Sequence, residues 1–122
     1  MKQKTFSFQA RLNSFGFAVR GILKFFQQEH NAWIHLVATI CVFTAAVYYH
    51  VSDSELVALI IVSGFVWVAE IFNTVIEKIM DFISPEYHHT VKFIKDLAAG
   101  GVMLSALTAA ATGIIVFIPK LL

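Results

Sequence analysis

Three apolar runs dominate the chain: Ala32 to Tyr49, broken chiefly by His35 and Thr39, then Val57 to Ala69, and finally Leu97 to Ile118. A helix needs about 20 mostly apolar residues to cross a bilayer. The first and third runs reach that length unaided; the second reaches it only by taking in the polar residues that begin at Glu70. With 58% hydrophobic and 14% charged residues and a mean hydropathy of +0.75, the chain falls outside the balance of water-soluble domains. The pattern predicts an all-α membrane protein of one domain over 1–122, with spans at about 32–50, 55–83 and 90–118.

Ahead of the first run, Phe8, Leu12, Phe15, Val19, Ile22 and Phe26 recur at helical spacing, opposite Gln9, Asn13, Arg20, Lys24 and Gln27. This predicts an amphipathic surface helix over about 6–28, lying in the membrane interface. It has neither the continuous apolar core nor the small-residue cleavage site of a secretory signal, so it is expected to remain in the mature protein. Anchoring alone explains the periodicity, which leaves open whether Arg11, Arg20 and Glu29 also reach a ligand.

The basic residues are distributed unevenly. Lys2, Lys4, Arg11, Arg20 and Lys24 precede the first span, Lys78, Lys92 and Lys95 surround the second connection, and Lys120 stands on the other side. The first connection, His50 to Glu55, carries Asp53 and Glu55 but no Lys or Arg, so the positive-inside rule turns the amino terminus and the second connection to the cytoplasm. Cys41, the single cysteine, has no internal partner and reads as a packing residue. No Cys or His pair has structural zinc spacing, and no nucleic-acid partner is expected. Pro85 ends the second span, SPEYHHT forms a turn, and Pro119 is expected to stop the third span.

The polar residues that extend the second run are not scattered. Glu70, Asn73, Thr74, Glu77 and Asp81 share an arc of about 100° on a helix turning about 100° per residue. Charges at membrane depth cost at least about 2.5 to 3.5 kcal/mol each on insertion scales, so a face of them points to a function. The third span opens with His88, Lys92, Lys95 and Ala99 on one face and Asp96 beside it, and a short turn brings this cluster level with Glu77 and Asp81. Carboxylates suit a hard cation such as Mg²⁺, lysine suits phosphate, and a further carboxylate can take a hydroxyl proton; together these are the parts of a phosphoryl-transfer site. The plainer readings are interhelical hydrogen bonding for Asn73 and Thr74, snorkelling for Lys78 and Lys92, interfacial placement for His30, His35 and His50, and close helix approach for Gly100, Gly101, Ser105, Ala109 and Gly113. Glu70 and Glu77 resist such a reading, because two like charges on one face each need a buried partner.

From about Arg11 to Lys120 the chain resembles the bacterial integral-membrane diacylglycerol kinase and undecaprenol kinase family, through EIFNTVIEKIMD, then EYHH, then KDLAAGGV. The resemblance implies a three-span homotrimer of the bacterial inner membrane whose active sites are shared between neighbouring subunits, and which phosphorylates a lipid alcohol with ATP and Mg²⁺. It implies Glu70 as general base and Glu29 and Glu77 as metal ligands. Arg11, Phe17, Glu86, Tyr87, His88, Lys95 and Asp96, with the two metal-holding glutamates, would contact ATP. Asn73 and Asp81 would support the site, and Glu70 and Ala99 would meet the lipid. Phe17 stands where the family has an aromatic hydroxyl and Asn13 where it has a basic residue, and His88 is favoured over His89 for the single histidine that follows Glu-Tyr. The EHNAWIH and FIPK segments resemble the undecaprenol kinases of Gram-positive bacteria, which puts undecaprenol ahead of diacylglycerol as substrate.

Two other classes compete. A small ion- or proton-coupled transporter or channel subunit also needs intramembrane carboxylates, but its polar path should cross the whole bilayer, whereas here the polar groups collect at one end. An assembly subunit without catalysis would bind no nucleotide. The chain carries no P-loop or protein-kinase motif, so ATP would be held by an unrelated arrangement.

Overall fold

The computed structural model describes residues 5–122; Lys2 and Lys4, counted in the charge balance, lie outside them. Four helices follow one another among the described residues: α1 (Phe8–Gln28), α2 (His30–Tyr48), α3 (Asp53–Ile83) and α4 (His89–Leu121). They fall into two compact units that divide between Ile34 and His35.

In the first unit, α1 starts where the Ser7 hydroxyl accepts the N–H of Ala10, satisfying one of the free donors of the first turn. Its apolar stripe is exposed along its length, from Phe8 and Leu12 through Phe15 and Val19 to Ile22. The Arg20 guanidinium lies 5.2 Å from the centre of the Phe17 ring. The helix ends at Glu29, whose backbone is extended while its N–H still donates to Phe25 O at 2.9 Å. Trp33 Nε1 donates to Phe26 O at 2.8 Å, and the Phe26 and Trp33 rings meet edge to face, so the corner that carries Glu29 is held by side chains on both sides.

Helices α2, α3 and α4 are each long and apolar enough to cross a membrane. Helix α2 stops at Tyr48, and His50 takes a left-handed backbone (φ 52°) that reverses the chain. The next helix begins at Asp53, two residues before the start expected at Glu55. Ser52 and Glu55 form a capping box, each side chain bonded to the other's backbone N–H, so Glu55 belongs to the first helical turn rather than the connection. At about 1.5 Å per residue α3 is about 46 Å long, well beyond a hydrocarbon core of about 30 Å, and it carries the whole Glu70 to Asp81 face without a break. Ser84 caps it and Pro85 prevents its continuation.

The expectation that Pro119 ends the last helix is corrected: α4 runs through it to Leu121. Proline forfeits one hydrogen bond there, but its fixed φ is itself helical, and only the final turn is affected. That turn places Lys120 Nζ at 2.8 and 3.1 Å from the two Glu55 carboxylate oxygens. Beside this bridge, Ala46, Leu59 and Val116 form a buried cluster covered by Val42, Phe43, Leu56 and Phe117. Glu55→Ala removes both the capping box and the bridge and is expected to lower stability by about 1 to 2 kcal/mol. Lys120→Met, which loses the bridge alone, should cost no more than about 1 kcal/mol. Unfolding of both variants in detergent measures the difference.

Apart from that cluster, Val66, Phe25 and Ala32, the apolar residues are largely exposed, including Phe65, Phe72, Ile61 and Ile115. The small residues of α4 do not all serve close approach. Ser105 is fully buried and its hydroxyl turns back to Val102 O at 2.7 Å. A Cβ at Gly100, Gly101 or Gly113, by contrast, would meet no atom of another helix within 4 Å.

Candidate active site

Glu70 stands about 25 Å along α3 from Asp53, and only 6% of its surface is exposed. A carboxylate taken out of water there loses on the order of several kcal/mol of hydration, so it requires a partner. The partner is on α2: His35 Nε2 lies 2.6 Å from Glu70 Oε1. The turn carrying His35 is itself fixed, since Thr39 Oγ1 donates to His35 O at 2.7 Å and accepts from Trp67 Nε1 at 3.0 Å. The His35 and Trp67 rings also meet edge to face, 6.2 Å between centres. The reading of His35 as an ordinary interfacial residue is thereby corrected. A signal was present in the sequence: His35 and Thr39 are four residues apart in an apolar run and so share one helix face.

One turn further along α3, Asn73 Nδ2 donates to Glu77 Oε1 at 3.3 Å, while Asn73 Oδ1 is buried with no hydrogen-bond partner among the described residues. A buried carbonyl oxygen left without a donor is uncommon and asks for a ligand. With the adjacent Glu77 carboxylate it makes two hard oxygens, a set that fits Mg²⁺, which takes one or two protein carboxylates and fills its shell with water and phosphate oxygens. Among the described residues no group of three His, Cys, Asp or Glu side chains is gathered closely enough to hold a metal without such help.

Beyond Glu77, the exposed Asp81 accepts a hydrogen bond from Lys95 Nζ at 2.6 Å, tying the end of α3 to the start of α4. A cleft of about 410 Å³ opens at this end, lined by Asp81, Glu86, Tyr87, His88, Lys92 and Lys95 among others. His88 is the N-cap of α4: its Nδ1 accepts the N–H of Thr90 at 3.1 Å, and its ring stacks on His89. An accepting Nδ1 carries no proton, so Nε2 is the nitrogen of His88 left to donate. The amino-terminal end of a long helix at the rim of the cleft adds positive potential for an anion.

Asp96 does not join Lys95. It pairs with Lys92 on its own helix, at the favourable spacing of four, so Lys92 is an ion-pair partner and not only a snorkelling side chain. Ala99 is exposed one turn further along α4. Arg11, Phe17 and Glu29 belong to the other unit, the first two exposed on α1 and Glu29 half-buried at its corner.

Residues 16–117 match the sequence profile of the family described as prokaryotic diacylglycerol kinase. The chain belongs to this family. One curated relative, named diacylglycerol kinase, from Synechocystis sp., is 34% identical over 112 residues, which is 91% of this chain and 64% of that protein. A second, named undecaprenol kinase, from Bacillus subtilis, is 32% identical over 108 residues, 88% of each chain. The chain thus spans just under two thirds of the Synechocystis protein and most of the Bacillus one. Both relatives carry the names of kinases acting on lipid alcohols, and the family match covers α2, α3 and the turn into α4 entire, so every polar contact from His35 to Asp96 falls within it.

Proposed function

We propose that this chain is a lipid kinase that transfers the γ-phosphoryl group of ATP to the hydroxyl of a membrane lipid alcohol in an Mg²⁺-dependent reaction. The observation that carries the reading is the buried Glu70 carboxylate, halfway along an apolar helix of a family member and held by a single imidazole. Glu70 is the general base: it takes the proton of the lipid hydroxyl while that oxygen bonds to the γ-phosphorus. The bond from the γ-phosphorus to the bridging oxygen breaks, and ADP leaves with the electron pair. Phosphoryl transfer has a loose transition state, so positioning and charge neutralisation matter more than covalent chemistry.

Lys95 and His88 Nε2, with the start of α4, bind phosphate oxygens, and Arg11, Phe17, Glu86, Tyr87 and Asp96 complete the ATP site. Glu29 and Glu77 are the metal ligands, and Asn73, which donates to Glu77 and whose own oxygen is buried without a partner among the described residues, supports the site. Bound there, Mg²⁺ supplies charge neutralisation on the phosphates. Asp81 holds Lys95 until phosphate takes its place, and Ala99 flanks the lipid headgroup. A homotrimer with shared sites is supported by the wide apolar exposure of α3 and α4. The basic residues around α1 and the cleft support a cytoplasmic active site in the inner membrane, and the exposed apolar stripe of α1 supports its lying on the surface.

Undecaprenol is the first choice of substrate. It is supported by the 88% coverage of the Bacillus undecaprenol kinase, together with the EHNAWIH and FIPK segments. Diacylglycerol is the second choice, on the 34% identity to the Synechocystis diacylglycerol kinase. An ion path is not favoured, since the region beyond Glu70 packs Ala46, Leu59 and Val116 together. The test is phosphate transfer from labelled ATP to each lipid in detergent. Phosphorylated undecaprenol should form faster than phosphatidate, and a chelator should stop both. Tight ATP binding with neither lipid phosphorylated would sink the proposal.

A further inference from the structure

We infer that His35 is a positioning residue for the Glu70 carboxylate: its Nε2–H holds Oε1 so that Oε2 is the oxygen presented to the lipid hydroxyl. This rests on the general-base reading of Glu70 and adds to it a second helix and a second side chain.

The geometry is specific. A buried carboxylate accepting one short hydrogen bond, 2.6 Å from ring nitrogen to oxygen, is fixed at that oxygen and free to act at the other. The imidazole cannot swing away without disturbing α2. Its backbone carbonyl is bonded by Thr39, Thr39 is bonded by Trp67, and Trp67 lies on α3 just three residues before Glu70. Two interhelical links at adjacent levels therefore set the distance and rotation between the helix that carries the base and the helix that holds it. Such supported side chains keep reacting groups within the fraction of an ångström that catalysis requires. A displacement of about 1 Å can lower a rate by about 10²-fold.

His35 is also not sealed into packing. Its side chain is 24% exposed, and it lines an apolar cavity of about 180 Å³ between α2, α3 and α4, with Thr39, Ser63, Val66, Ala106 and Ala109. The cavity permits a decisive test, because a small heterocycle fits beside the position that the ring vacates.

His35→Ala in the full-length protein in detergent should lower kcat for the lipid by about 10²-fold, with ATP binding unchanged. Added imidazole should restore part of that loss, and His35→Gln, which keeps an N–H donor on a side chain of similar reach, should stay well above His35→Ala. A wild-type kcat for His35→Ala would overturn the assignment. So would a loss that neither imidazole nor His35→Gln relieves, which is the behaviour of a packing residue. Should His35→Ala fail to fold, His35→Gln and His35→Leu decide: Gln about tenfold or more above Leu supports positioning, in keeping with a donor that holds the carboxylate at its other oxygen, and equal rates refute it. Wild-type turnover by Glu70→Gln would remove the base itself and the role of His35 with it, and so separates failure of the underlying reading from failure of this one.

Discussion

Glu70→Gln is expected to lower lipid-dependent ATP turnover by about 10² to 10⁴-fold, the range that a positioned base contributes. The substitution preserves shape and keeps a carbonyl oxygen where His35 Nε2 meets Oε1, but an amide cannot accept the hydroxyl proton. ATP affinity should be unchanged, because the α3 and α4 residues proposed to hold the nucleotide lie one and more turns away on α3 and across the turn to α4. Unfolding in detergent should move little, since a neutral amide is easier to bury than a carboxylate. Steady-state turnover on undecaprenol, with ATP binding measured separately, checks each part. An active Glu70→Gln protein would falsify the base assignment.

The second large effect is expected at Glu77. Glu77→Gln keeps an oxygen for Asn73 Nδ2 to donate to but removes the charge from the carboxylate bonded to Asn73, whose own oxygen is buried and unpartnered among the described residues. Losing one preorganised electrostatic contact of this kind lowers turnover by about 10² to 10³-fold. The diagnostic is the response to metal. The Mg²⁺ concentration giving half-maximal rate should rise in Glu77→Gln, with excess Mg²⁺ recovering part of the activity, whereas Glu70→Gln should show no such recovery. Equal Mg²⁺ dependence in the two variants would remove Glu77 from the metal site.

Much of this architecture could be read from the sequence because hydropathy and helix-stopping residues are local signals. The apolar runs gave the three long helices to within a few residues at most ends. Helix α3 starts ahead of its apolar run because the Ser52 and Glu55 pair is a capping box that extends the helix backwards, and Pro119 does not end α4 because a proline in a last turn has little helix left to break. The polar face of α3 was legible as a face. Its partners were less so. Asp81 and Lys95 could be set level by the short turn between them, but His35 and Glu70 are joined across two helices, and no spacing rule links residues that far apart. Lys120 and Glu55 are further apart still in the chain, and their bridge follows only from how α3 and α4 lie against each other. What sequence did offer at His35 was a polar residue recurring with Thr39 on one face, together with the physical demand that Glu70 find a buried partner.

The two bridges between α3 and α4 sit at opposite ends of the pair, Glu55 with Lys120 at one and Asp81 with Lys95 at the other. Each is short, and displacing one helix along the other by a single turn, about 5.4 Å, would part both at once. The pair is therefore resistant to axial shear, while rotation about a bridge is far less opposed. The level at which the Glu70 to Glu77 face meets the start of α4 is therefore set from both ends of the pair.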